Sequence, residues 1–168
     1  TQLDQNAAAL PLDFTDGNNT IASAHTLALS LDVAETQALL REVPKAYQSQ
    51  INDVLLTALL QGMAPWTEQS SLMIELENHG RDDFDGQLDL SRTVGWFTAI
   101  FPVQLTLPAD PNPGEALMAI KEQLRHLGRP LDYGVCRYLS DQGTSHQKPA
   151  LIFNYLGQFD SSLPEASL

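Results

Sequence analysis

At 168 residues and 43% hydrophobic content the chain is long enough for one domain with a buried core, and its composition excludes a fibrous or disordered class. Its formal net charge is −12, from 21 acidic residues against 9 Lys and Arg, with no cation in the first forty positions. That balance argues against nucleic acid or an anionic membrane as partner, because phosphate binding needs clustered cations. Cys136 is the single cysteine, which excludes an intrachain disulfide and a thiolate zinc site and fits a reducing cytoplasm. With no apolar run near the roughly 18 residues of a membrane span and no basic-then-apolar leader, a soluble cytoplasmic protein is expected.

Residues 1–20 carry Pro11, Gly17 and several Asp and Asn, which favour turns, and read as a crossover or linker. His25, Leu27, Leu29 and Leu31 alternate with period two and predict a strand. Asp32 and Glu35 have capping-box spacing, and Leu39, Leu40 and Val43 supply the apolar stripe of a helix over 33–42 that stops near Pro44. Residues 51–60, apolar on nearly every side, predict a deeply packed helix with Asp53 as a structural carboxylate near its start.

Next come two apolar runs, 72–76 and 99–107, with the length and side-chain types of buried strands. The polar loop between them begins Glu77-Asn78-His79-Gly80-Arg81-Asp82, so a carboxylate, an imidazole and a guanidinium leave a strand end within a few residues. A rigid strand end is where a scaffold can present chemistry, although a Glu beside an Arg on spacing alone reads more simply as a solvated ion pair.

Asn112, Pro113 and Glu115 mark a strong helix start, Leu117, Ile120, Leu124 and Leu127 follow at helical spacing, and Gly128 with Pro130 ends the run. His126 falls in the last turn, where a basic group suits the helix dipole. A short helix containing Tyr133 to Leu139 follows, with Cys136 read as a small packed hydrophobe. A polar loop containing His146 and a last strand beginning at 150–153 lead to a tail over 161–168. The order strand, helix, helix, strand, strand, helix, short helix, strand gives an α/β class with mixed α+β layers. GxGxxG, P-loop and GxSxG patterns are absent, and no metal site is expected.

Three ordered segments carry a resemblance: Glu77-Asn78-His79-Gly80-Arg81-Asp82, Arg92-Thr93-Val94-Gly95-Trp96-Phe97-Thr98 and Phe153-Asn154-Tyr155-Leu156-Gly157-Gln158-Phe159-Asp160. Together they resemble successive motifs of the epimerization domains of nonribosomal peptide synthetases, members of the condensation superfamily. Residues 47–58 resemble a further motif, and Tyr133-Gly134 with Arg137-Tyr138-Leu139 resemble parts of another. The resemblance implies a chloramphenicol acetyltransferase-like lobe, one half of a V-shaped two-lobe fold with its site in the tunnel between the halves. Residues 21–160 would then be a partial C-terminal lobe. The family's HHxxxDG motif is absent, and the family continues well beyond residue 160, so the segment alone is expected to be catalytically incomplete.

By that resemblance the activity is interconversion of the L and D configuration at the α-carbon of an aminoacyl or peptidyl thioester. The substrate is tethered to the 4'-phosphopantetheine of a carrier domain, so no cofactor is bound directly; the partners are that carrier and the N-terminal lobe. Glu77 takes the place of the family's acid/base, a role that suits a carboxylate if the tunnel desolvates it. Tyr155 is the second residue carried over, as donor to the enolate oxygen or as a proton source, its alternative being a core tyrosine with a hydrogen-bonded hydroxyl.

His79 and Arg81 are expected to hold Glu77. Asn78 departs from the usual glycine, at a position where a positive φ would favour Asn, and Asp82 departs from the usual Glu. Arg92, Trp96 and Phe97 are expected to shape the tunnel wall, the aromatics as packing groups, with Gly95 permitting a close backbone approach. Asn154 and Gln158 either position the pantetheine arm or satisfy backbone groups, the latter favoured. Two other readings stand beside the epimerase: a condensation-type domain segment forming peptide bonds, and a non-catalytic carrier-docking lobe. Substrate side chain and oligomeric state are not legible.

Overall fold

The computed structural model describes residues 10–158 apart from 15, 19, 82–88, 91 and 141–147. Asp82, His146, Phe159, Asp160 and the 161–168 tail lie outside the described residues. Two compact units divide the chain, Thr1–Met73 with Gln104–Gly128 and Ile74–Val103 with Arg129–Leu168.

Helices dominate the first unit. Asp32 caps α1 (Val33–Gln37) as its spacing predicts: its carboxylate accepts from Glu35 N at 2.8 Å while Glu35 accepts from Asp32 N at 3.0 Å. The helix does not stop at Pro44. A π-helical turn over Ala38–Glu42, in which Val43 N–H reaches five residues back to Ala38 O, carries the chain into α2 (Val43–Tyr47). The widened turn puts Pro44 in the first turn of α2, where its missing N–H costs no helical hydrogen bond.

α3 (Ile51–Thr67) starts where Gln50 N donates to Asp53 Oδ2 at 2.7 Å, so Asp53, 8% exposed, is structural as expected. It packs against α4 (Pro113–Arg125), and Leu56, Leu60, Ala116, Leu117 and Ile120 are buried. Burying a Leu or Ile of this kind is worth about 1.5–3 kcal/mol. Gly62 lies inside α3 with open space where a Cβ would stand. Gly62→Ala is therefore expected to raise stability by about 1 kcal/mol through helix propensity, read as an increase in the denaturation midpoint.

Two cations of α4 close the end of α2. Lys121, 4% exposed, donates from Nζ to Tyr47 O at 2.9 Å, and Arg125 donates from Nη2 to Gln48 O at 3.2 Å. Free carbonyls at a helix C-terminus carry partial negative charge, so a cation both bonds and neutralises them. Gln48, at φ 49°, turns the chain there.

The sheet has the order β2-β1-β3, with β1 (Ser71–Asn78) central, β2 (Ala99–Thr106) on one side and β3 (Ile152–Phe153) on the other. β3 runs parallel to β1 in the register Glu75↔Ile152 and Leu76↔Phe153, with Glu75 N donating to Leu151 O at 2.9 Å. Alternation puts Leu72, Ile74 and Leu76 on one face of β1, all buried, as are Phe101, Val103 and Leu105 of β2.

Two expectations are corrected. Residues 25–31 form no strand, and Leu27, Leu29 and Leu31 are exposed, because period two alone supplies no hydrogen-bonded neighbour. Cys136 is exposed on α5 (Pro130–Leu139) rather than packed, since that helix buries no residue fully among those described. The mixed α/β class is as read from the sequence.

Candidate functional site

Every described residue of the three motifs belongs to the second unit. Glu77 is the penultimate residue of β1, half-buried, and its carboxylate makes no hydrogen bond or ion pair among the described residues. The expectation that His79 and Arg81 hold it is not met. Arg81 instead donates from Nη1 to Leu90 O and to Thr93 O, each at 2.9 Å, and its guanidinium lies 4.6 Å from the centre of the Phe97 ring. His79 is exposed, and its Nδ1 accepts from Arg81 N at 3.0 Å, which leaves Nε2 to carry the proton of the neutral ring.

The first two motifs are thus latched together by one arginine. Arg81→Lys is expected to lose about 1.5–3 kcal/mol, because an ammonium lacks the planar fork that meets two carbonyls while stacking on a ring. Chemical denaturation of the variant measures this, and a loss under about 0.5 kcal/mol would contradict the latch.

Asn78 does not take a positive φ; the left-handed residue of the turn is Gly80, where φ is 61°. Asn78 is the last strand residue, and its Oδ1 accepts from Gly80 N at 3.4 Å to start the turn. A Cβ on Gly80 would overlap the carbonyl oxygen of Phe97 and lie 2.8 Å from its carbonyl carbon. Gly95 is tight as well, a Cβ there meeting the Phe97 ring at 2.9 Å. Arg92 is exposed, and Trp96, read as a packing group, is 90% exposed. Phe97, half-buried beneath Arg81, is the aromatic that packs.

Tyr155 is half-buried, Asn154 and Gln158 are exposed, and none makes a side-chain hydrogen bond among the described residues. Among the described residues nothing supplies the hydrogen bond of the core-tyrosine reading of Tyr155 or those of the backbone role of Asn154 and Gln158. Carried one and then two residues past the end of β3, the β1–β3 register would set Asn154 level with Glu77 and Tyr155 level with Asn78. Residues level across parallel strands share a face, so Asn154 takes the Glu77 side as the chain leaves the sheet. Among the described residues no group of His, Cys, Asp and Glu is arranged to hold a metal, and no helix is long and apolar enough to cross a membrane.

Known proteins resemble this chain. The chain is 46% identical over 168 residues to a linear gramicidin synthase of Brevibacillus parabrevis, covering 95% of this chain and 2% of that one. It is 48% identical over 163 residues to chondramide synthase cmdD of Chondromyces crocatus, covering 95% and 4%. Among solved structures it resembles the epimerization domain from the third module of tyrocidine synthetase B, with a TM-score of 0.82, 35% identity and coverage of 91% of this chain and 35% of that one. The X-domain from teicoplanin biosynthesis gives a TM-score of 0.61 at 25% identity, over 88% and 32%. The chain therefore spans a few per cent of its curated relatives and about a third of these solved domains. The family model described as Condensation domain matches residues 1–167, and the chain belongs to that family.

Proposed function

We propose that the chain is part of a synthetase epimerization domain, within which residues 21–160 belong to the C-terminal lobe. Its reaction interconverts the L and D forms of a carrier-bound aminoacyl or peptidyl thioester. The observation that carries this reading is the match to the tyrocidine synthetase B epimerization domain along 91% of the chain, joined to a carboxylate at the end of β1 that has no partner among the described residues. The thioester acidifies the α-hydrogen, Glu77 removes it, the resulting electron pair spreads onto the carbonyl oxygen, and a proton returned to the opposite face of the α-carbon completes the inversion. General base catalysis contributes about 10²–10⁴-fold, so donors to that oxygen must supply much of the remainder.

The backbone N–H groups of Gly80 and Arg81 are taken by Asn78 and His79. Among the described residues the donors without a partner near the strand end include the side-chain amide of Asn154, on the Glu77 face by continuation of the register, the Nε2–H of the neutral His79 ring, and the hydroxyl of Tyr155, which the same continuation sets level with Asn78. The 4'-phosphopantetheine arm belongs to the carrier and brings the thioester in; no cofactor of the chain's own is needed. The reaction belongs to the cytoplasm, where carrier domains are loaded.

A second reading has its own support, since the matching family model is described as a Condensation domain and the relatives are synthetases. Incubating the complete domain with a carrier-bound aminoacyl thioester in deuterated water separates the two. Deuterium at the α-carbon supports epimerization, and peptide-bond formation without exchange overturns it.

A further inference from the structure

Glu75 is a buried carboxylate that neither the fold nor the proposed reaction uses. It is 8% exposed, yet makes no hydrogen bond and no ion pair among the described residues. The other buried ionisable side chains among them are satisfied, Asp53 by Gln50 N and Lys121 by Tyr47 O. Ser49 Oγ is the fully enclosed side-chain polar atom without a partner, so the Glu75 oxygens, equally partnerless, still touch solvent. Glu75 is deep but reachable.

The pleat puts Glu75 and Glu77 on the same face of β1, opposite Leu72, Ile74 and Leu76, with their Cα atoms roughly 7 Å apart. Ile152, and Asn154 by continuation of the register, take that face on the neighbouring strand. Among the described residues Arg137 of α5 is the cation that feels this carboxylate: it is favoured in its charged form chiefly by the Tyr133 hydroxyl and more weakly by Glu75. Its guanidinium, however, bonds Tyr133 Oη at 2.7 Å and stays in solvent. Among the described residues no resident cation completes Glu75, and a buried carboxylate without a donor is unfavourable until one does.

We infer that Glu75 receives the α-ammonium group of an aminoacyl thioester while Glu77 removes the hydrogen from the adjacent carbon; the inference rests on the epimerase reading. The nitrogen and α-carbon are bonded neighbours, and each carboxylate reaches about 3 Å from its own oxygens. One substrate lying between positions 75 and 77 therefore meets both. An N-acylated substrate, such as a peptidyl thioester, brings no charge and leaves Glu75 unsatisfied. Glu75 thus selects aminoacyl over peptidyl substrates.

The test uses the complete domain with its carrier loaded either with a free aminoacyl group or with the N-acetyl form of the same amino acid, and reads α-deuterium uptake in single turnovers. Wild type is expected to exchange the free amine about 10–100-fold faster, the worth of a charge-assisted hydrogen bond. Glu75→Gln is expected to bring that ratio toward one. Equal wild-type rates overturn the inference whether or not the variant folds, as does a Glu75→Gln enzyme that slows both substrates and keeps the ratio. Absence of exchange with either substrate in wild type removes the epimerase reading and this inference with it. Wild-type exchange by Glu77→Gln removes only the role of Glu77.

Discussion

Glu77→Gln in the complete domain lowers α-deuterium incorporation by about 10²–10⁴-fold, the range for loss of a positioned general base. Gln keeps the length and shape of the side chain and removes its basicity, so binding of the loaded carrier stays near wild type while the chemical step fails. The substitution is mild for the fold because Glu77 is half-buried and holds no hydrogen bond or ion pair among the described residues. A variant that folds, binds carrier and exchanges at the wild-type rate would remove Glu77 from the mechanism. A variant that loses thermal stability instead would assign it a structural role.

Gly80→Ala carries the largest expected structural cost. The φ of 61° is itself strained for a residue with a Cβ, and that Cβ would collide with the Phe97 carbonyl, which is backbone and cannot rotate away. The two effects together cost on the order of 4 kcal/mol, at the upper end for single substitutions. A fall in melting temperature of about 8–16 °C follows for a chain of this size. Gly128→Ala, where nothing lies within 4 Å of the added atom, is the control and is expected within about 1 kcal/mol of wild type. Because Gly80 sits three residues after Glu77 in the same turn, any folded remainder loses activity as well. Equal melting temperatures for the two variants would show that the Gly80 turn is not held against Phe97.

The helix starts legible in advance share one property: their capping interactions lie within one turn of chain. The Asp32–Glu35 and Asn112–Glu115 capping boxes join residues three apart, and the structure contains both. β1 and β2 were legible because each is an apolar run with the other as neighbour. Residues 25–31 have the same alternation and no such neighbour, so they remain exposed. Pro44 misled because a helix stop is the usual outcome of a missing donor, whereas here the π-helical turn before it removes the need for that donor.

The site divides along the same line. By itself the sequence determined which groups stand at the strand end, since Glu77, Asn78, His79, Gly80 and Arg81 are consecutive and β1 was readable as an apolar run. The tertiary structure alone decided what they meet: Arg81 bonds carbonyls 9 and 12 residues away, and the carboxylate of Glu75, without a partner among the described residues, is buried on the Glu77 face. It also laid β3 beside β1 in the register Glu75↔Ile152, between residues 77 apart in the chain. The reason is physical. Local pattern selects helix, strand or turn through forces acting over a few residues, while burial, strand neighbours and the partners of a charged group depend on which distant segments the packed chain brings alongside.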